Sequence, residues 1–487
     1  MTERSEHDVM LLEAGPDYAT PALLPRDLID GTRNAMRSHD WDYVHRPHPR
    51  QSLLRFPRGR IVGGSSAVNT CIALRGQPYD YDEWAALGLP EWSFERCLPA
   101  FKRLEDDRDF RNRWHGQGGP IPVRRHTEDE LGPWQRGFLD ACRDLSFGPC
   151  RDTNDPTQTG YGPHAMNKIR GVRMSAARGY LTAEVRAREN LRIVPHTVVH
   201  RVRVRNGKVA GLTVETQGRV HDIDTTRVVL AGGAIGSPGI LLRSGIGPRD
   251  TVERLGVDLV ADVPAVGARL LDHPGLALFF RPRRGQGNDE YPLIQNVLRF
   301  TSNGSPYPND VQLQPGSFVP TPWGFVVPVV TIACCVGKPR GHGRIRFLDT
   351  NPHRRPHIEQ RFLFDAGDRA VAMEALRLAL LASETSTMRE MATLLWPKRE
   401  VVLDEAKLAE ALPRICDSGY HPCGTVPMGA DGDPSGAVDQ YGRVRPVAGL
   451  WVADASVMPT IPSSNTNFPT LMMGERFGEW MRDGVDR

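Results

Sequence analysis

The chain has 487 residues, 40% of them hydrophobic, and a formal charge of +3 from 61 basic and 58 acidic side chains. That length supports a large core shared between two joined domains, and so even a charge balance gives a polyanion such as nucleic acid nothing to hold. No apolar run reaches the roughly 18 residues that a membrane helix needs; the longest, Phe325 to Val336, contains a proline. The opening residues MTERSEHD are charged and lack a signal-peptide core, and the eight cysteines have no paired zinc spacing. A cytoplasmic protein with reduced thiols and no metal centre is the expectation.

In chain order, the first apolar strand is Val9 to Leu12, closed by Glu13, Ala14 and Gly15. A strand ending on Glu is the ribose-binding arrangement of a dinucleotide fold, whose GxGxxG turn lies roughly 20 residues before the acid. Here that turn would precede residue 1. The expectation is a chain that starts inside its first βαβ unit; the alternative is a variant that has dispensed with the nucleotide site. From Phe56 to Gly76 the chain reads FPRGRIVGGSSAVNTCIALRG. Its small residues Gly63, Gly64 and Ser65 let backbone approach a planar ring, and Asn69 to Ile72 can present amides to it; a tight turn before a buried helix is the other reading.

Amphipathic spacing predicts helices behind Ser93, on Phe94, Cys97, Leu98, Phe101 and Leu104, and again from Trp134 to Leu145. Alternation predicts half-buried antiparallel strands at Leu191 to Val194, Val198 to Val204 and Val209 to Val214. Val228 to Ala231 then runs into GGAIGSPGILLRSGIGP, a strand, glycine turn and helix. Between residues 276 and 415, strands expected at 310–314, 326–336 and 343–348 precede a helix over 368–382, which suits an antiparallel sheet backed by helices.

The last stretch, GYHPCGTVPMG followed by GLWVADASVMPTIPSSNTNFPTLMMGE, carries the chemistry. His421 lies between turn residues, Leu450 to Ala453 forms a strand ending on Asp454, and Asn465, Thr466 and Asn467 are capping candidates for a helix from about Phe468. A histidine titrating near ~6.5 is a natural proton acceptor, and a helix start favours a nearby anion.

These four segments, with TERSEHDVMLLEAGP at the start, resemble the glucose-methanol-choline (GMC) family of FAD oxidoreductases over nearly the whole chain. The resemblance implies an α/β fold in which an FAD-binding Rossmann-like domain (1–118, 172–275, 416–487) interleaves with an antiparallel-sheet substrate domain (119–171, 276–415). It implies FAD contacts at Glu13, Ala14, Arg60, Gly63, Gly64, Ser65, Asn69, Thr70, Cys71, Ile72, Val199, Asp454, Ala455, Asn467 and Phe468. Val68 stands where some relatives attach the flavin through a histidine, so FAD is expected to bind non-covalently. The implied reaction oxidises a choline-like, aryl or other small alcohol. His421 would take the hydroxyl proton, Asn467 would bond the substrate oxygen, and oxygen, a quinone or a redox protein would accept the electrons. Two alternatives share the scaffold: a flavin-dependent lyase or decarboxylase, and a flavin-free binding protein.

Overall fold

Strand β1 (Val9–Leu12) begins a computed structural model that describes residues 1–35, 38–287, 289–320 and 326–484; Phe325, at the head of the longest apolar run, lies outside them. Helices α1 (Pro78–Ala86), α2 (Phe94–Leu104) and α3 (Pro133–Asp144) follow, then strand β2 (Gly160–Pro163). Strand β3 (Leu191–Val194) leads into a meander of β4 (Thr197–Arg205), β5 (Lys208–Thr216) and β6 (Arg219–Asp224). Strand β7 (Val228–Leu230) turns at Gly232 into helix α4 (Gly233–Arg243). Four longer strands come next, β8 (Pro274–Pro282), β9 (Asn296–Phe300), β10 (Val311–Gly316) and β11 (Val330–Val336), backed by helix α5 (Ala366–Ser383). Strands β12 (Ala392–Trp396), β13 (Asp417–Ser418) and β14 (Leu450–Val452) precede the last helix, α6 (Asn467–Asp483).

The large sheet is antiparallel in the order β12-β8-β11-β10-β9-β2, with β13 also paired to β8. Its two faces differ because side chains alternate along a strand. On β8 and β11, Leu276, Leu278, Phe280, Val330, Ile332, Cys334 and Val336 are buried in a core with α3 and α5. Ala277, Phe279, Ala333 and Cys335 point the other way and line a cavity. Helix α5 lies close on this sheet because Ala372, Ala375 and Ala379 present no bulk there.

A second core joins α1, α2, α4, β7, β14 and α6. In α2, Cys97, Ala100, Phe101 and Leu104 are buried at helical spacing, and Phe101 stacks on Phe468 of α6 with ring centroids 5.9 Å apart. Each large apolar side chain buried in this way stabilises the fold by about 1.5–3 kcal/mol. One strand reading is corrected. Strand β3 is parallel, pairing with β1 so that Val9 faces Leu191, while β4 and β5 are antiparallel as expected. Strand β3 is only partly buried, so it alternates as an antiparallel strand does and lacks the continuous apolar run of a strand inside a parallel sheet. Strand β14 is likewise parallel to β7, with Val228 opposite Leu450. No described helix is long and apolar enough to cross a membrane.

Candidate active site

A cavity of about 2930 Å³ runs from the C-terminal ends of β1 and β7 to the inner face of the large sheet. At one end, Glu13 closes β1 with its Oε1 accepting from Gly15 N–H at 2.8 Å, and burial pushes its carboxyl up to about 7. Gly15 is required here because a Cβ would lie 2.0 Å from the carbonyl oxygen of Arg60. The chain then passes through a short turn of helix at Gly64–Ala67. At Gly64 φ is +54° and a Cβ would meet nothing within 4 Å, so the backbone itself forms the cavity wall.

The other end is built on two histidines and an aspartate. Asp272 is buried and accepts four hydrogen bonds. Its Oδ1 takes the backbone N–H groups of His273 and His421, each at 2.8 Å, and its Oδ2 takes Ser418 Oγ at 2.6 Å and Gln360 Nε2 at 2.8 Å. Burial raises the pKa of this carboxyl, and the bonds from Ser418 and His421 together with the charges at Arg58 and His45 oppose the rise. One carboxylate thereby fixes both histidine backbones.

The rings then define each other's tautomers. His273 Nε2 lies 3.1 Å from Gly337 O and 3.0 Å from Pro462 O. Carbonyl oxygens only accept, so Nε2 carries the hydrogen and Nδ1 of the neutral ring is bare. Nδ1 of His421 is 2.9 Å away and donates to it. Nε2 of His421 is therefore bare, and it accepts from Asn465 Nδ2 at 2.9 Å. Burial lowers the pKa of both rings, to about 4 for His273; His421, with His273 and the Arg58 guanidinium nearby, falls well below its ordinary value. Both imidazoles are neutral at neutral pH, and His421 offers an unprotonated Nε2 to the cavity.

Most of the residues expected from sequence line this cavity: Glu13, Ala14, Gly63, Gly64, Ser65, Asn69, Thr70, Ile72, Val199, His421, Asp454, Ala455 and Asn467. Both carboxylate oxygens of Asp454 are used internally. They accept from Gly233 N–H at 2.9 Å, Ser237 Oγ at 2.5 Å and Ser456 N–H at 2.7 Å, which locks β14 to the start of α4. Three expected side chains are elsewhere. Arg60 lies over Trp41, Cys71 is fully buried beside Arg173 Nη1 at 3.2 Å, and Phe468 is in the core. Asn467 is the first residue of α6 and makes no bond to His421; the amide on that histidine belongs to Asn465. The helix caps at Thr466 without a side-chain bond, so neither asparagine is spent on capping. Asn467 Nδ2 and Asn465 Oδ1 are buried with no hydrogen-bond partner among the described residues. Sequence reading missed Asp272, His273, Arg58 and the bond from Asn465 to His421. The adjacent Asp-His in LLDHPG, a polar pair after an apolar run, was the available signal.

Family models for the N- and C-terminal parts of GMC oxidoreductases match residues 27–275 and 339–474. The chain belongs to the GMC oxidoreductase family. It is 30% identical to an oxygen-dependent choline dehydrogenase of Photobacterium profundum, over 98% of this chain and 89% of that one. It is 31% identical to a 5-(hydroxymethyl)furfural oxidase of Methylovorus sp., over 98% and 94%. Among solved structures, pyridoxine 4-oxidase from Mesorbium loti superposes with a TM-score of 0.90 at 26% identity, covering 99% of this chain and 96% of that one. GMC oxidoreductases are FAD enzymes, and the residues present fit that group. The cavity has backbone walls at Gly64, an acid at the end of β1 and two lining asparagines, Asn465 and Asn467, each with a buried amide atom that has no partner among the described residues. Val68 lines the wall and offers no nucleophile for covalent attachment, in keeping with non-covalent FAD.

Proposed function

We propose that this GMC oxidoreductase converts a primary or secondary alcohol to an aldehyde or ketone, with His421 as the base. The bare Nε2 of His421, held in that state by the bond from its Nδ1–H to His273, supports this role. A hydroxyl entering between His421 and Asn465 would donate to Nε2 and accept from Nδ2, replacing the direct contact between them. Asn465 therefore takes the oxygen-binding role that sequence reading gave to Asn467. Bound FAD supplies the acceptor for the hydride leaving the α-carbon. Asn467 and the unpaired N–H groups at the start of α6 favour negative charge beside them, which suits the flavin ring. Glu13 is suited to the ribose hydroxyls, and Val199 to the adenine.

Phe279, Trp396, Gln314, Ala333 and Cys335 contribute to the wall on the sheet side, a surface suited to a small, partly apolar alcohol. We assign substrate binding to 119–171 and 276–415 and cofactor binding to 1–118, 172–275 and 416–487. Electrons leave to oxygen, a quinone or a redox protein. The test is a panel of choline, benzyl alcohol and short aliphatic alcohols offered to FAD-loaded protein with an artificial acceptor. At least one alcohol should be oxidised with aldehyde or ketone formed; oxidation of none of them would remove the proposal.

A further inference from the structure

Outside the cavity, three side chains from distant parts of the chain converge on the surface. His200 is in β4, Glu215 is in β5, and His353 is in the loop before residue 357. Nε2 of His200 is 3.0 Å from Glu215 Oε2, and Nε2 of His353 is 2.9 Å from the same oxygen. All three donor atoms lie within 4.8 Å of one another. The two rings are nearly perpendicular, with an interplanar angle of 85°. From these positions we infer that His200, Glu215 and His353 form a binding site for a borderline first-row divalent cation, with zinc as its simplest occupant.

Two imidazole nitrogens and one carboxylate oxygen are the donor set such ions prefer, at about 2.0–2.2 Å from the metal. The present spacing holds a shared oxygen between two ring N–H groups. A cation would sit among the three atoms with each ring carrying its proton on Nδ1, and the donors need to separate by only a few tenths of an ångström. His200 falls at a register irregularity of β4, between Val199 and Arg201, and so has no directly opposed partner in β5. All three residues retain solvent access, so water can complete the coordination shell.

The site would fasten one structural unit to another. Pro352, Arg354 and Pro356 flank His353 and line the cavity, as does Val199 next to His200. Arg243 of α4 donates its Nε–H to His200 O at 2.7 Å. A cation here would therefore hold the loop 350–356 against the meander at the edge of the cavity. Sequence spacing could not have shown it, because the ligands are separated by 15 and 138 residues.

The experiment is equilibrium dialysis of tag-free, FAD-loaded protein against zinc chloride, with metal content, melting temperature and hydrogen exchange read on the same samples. The proposal predicts one zinc per chain, a higher melting temperature than in chelator, and slower exchange over 350–356. It also predicts loss of all three effects in His353→Ala and in Glu215→Gln, whose melting in chelator matches the parent, and recovery of zinc in His353→Cys. A parent protein that takes up no zinc overturns it. So do variants that retain the same zinc content and the same melting shift.

Discussion

At the scale of single residues, the proposed chemistry turns on which nitrogen of His421 is bare. A histidine alone in a cavity could adopt either neutral tautomer. Here two carbonyls set His273, and His273 sets His421. The variant His273→Leu removes the acceptor for His421 Nδ1–H and lets the ring move its proton to Nε2, where it blocks the base. Alcohol oxidation should fall by roughly tenfold or more, since general-base catalysis depends on the right protonation state, with the flavin spectrum unchanged. His273→Gln keeps an acceptor and a donor and should recover much of the rate. Equal rates in these two variants would assign His273 a packing role only. Because the pKa of His421 is lowered by burial, His273 and Arg58, the parent's rate should decline only at pH values below 6.5, where the base becomes protonated.

At the scale of elements, the site depends on places where backbone passes close to backbone. Gly15 and Gly64 make opposite predictions. Gly15→Ala drives a Cβ into Arg60 O at 2.0 Å and should lower the melting temperature of the protein with or without cofactor. Gly64→Ala meets open space, so its cost is limited to holding a side chain at a φ of +54°, of order 1–2 kcal/mol. Its larger effect should be weaker FAD retention, measured by flavin release on dilution. The reverse pattern would mean that Gly64 is structural and the wall lies elsewhere.

The elements themselves were largely legible from periodicity, because burial of one face is what produces the pattern. Helix α5 spans Ala366–Ser383 against an expected 368–382, and the crossover from β7 into α4 follows its glycine turn. The direction of β3 was not legible, since the strand is only partly buried and does not show the continuous apolar run of a strand inside a parallel sheet. Nor was the choice between Asn465, in the turn before α6, and Asn467, the first residue of that helix. Only the path of that turn decides which amide meets His421. Asp272 and His273 were hidden for a related reason: their value comes from Ser418, Gln360 and Pro462, none of which is near them in sequence.

At the scale of the molecule, a buried group of charges ties the cavity wall to the rest of the fold. Arg75, just beyond the wall segment, pairs with Glu105, and Arg125 bonds Asp107 at 2.9 Å and Asp152 at 2.6 Å. His115 sits between the acids, with Nδ1 2.8 Å from Asp107 and Nε2 2.7 Å from Asp152. Both ring nitrogens face carboxylates, which suits an imidazolium. Burial alone would lower its pKa, but Asp107, Asp152 and Glu105 raise it to about 10. The stabilisation is therefore complete below the unfolded value of about 6.5 and is lost as pH rises through about 10. Melting temperatures of the parent and His115→Gln should differ most at pH 6 and converge toward pH 10. A difference that stays constant over that range would mean that the ring acts by packing, not charge.

In the proposed flavin-dependent oxidation, His421 takes the proton of the alcohol. Anaerobic mixing of FAD-loaded protein with the best alcohol of the panel, following loss of oxidised-flavin absorbance, tests it directly. The parent should bleach in a single turnover, and His421→Ala, with equal flavin content, should bleach about 10²- to 10⁴-fold more slowly. Equal bleaching rates in the two proteins would contradict the assignment.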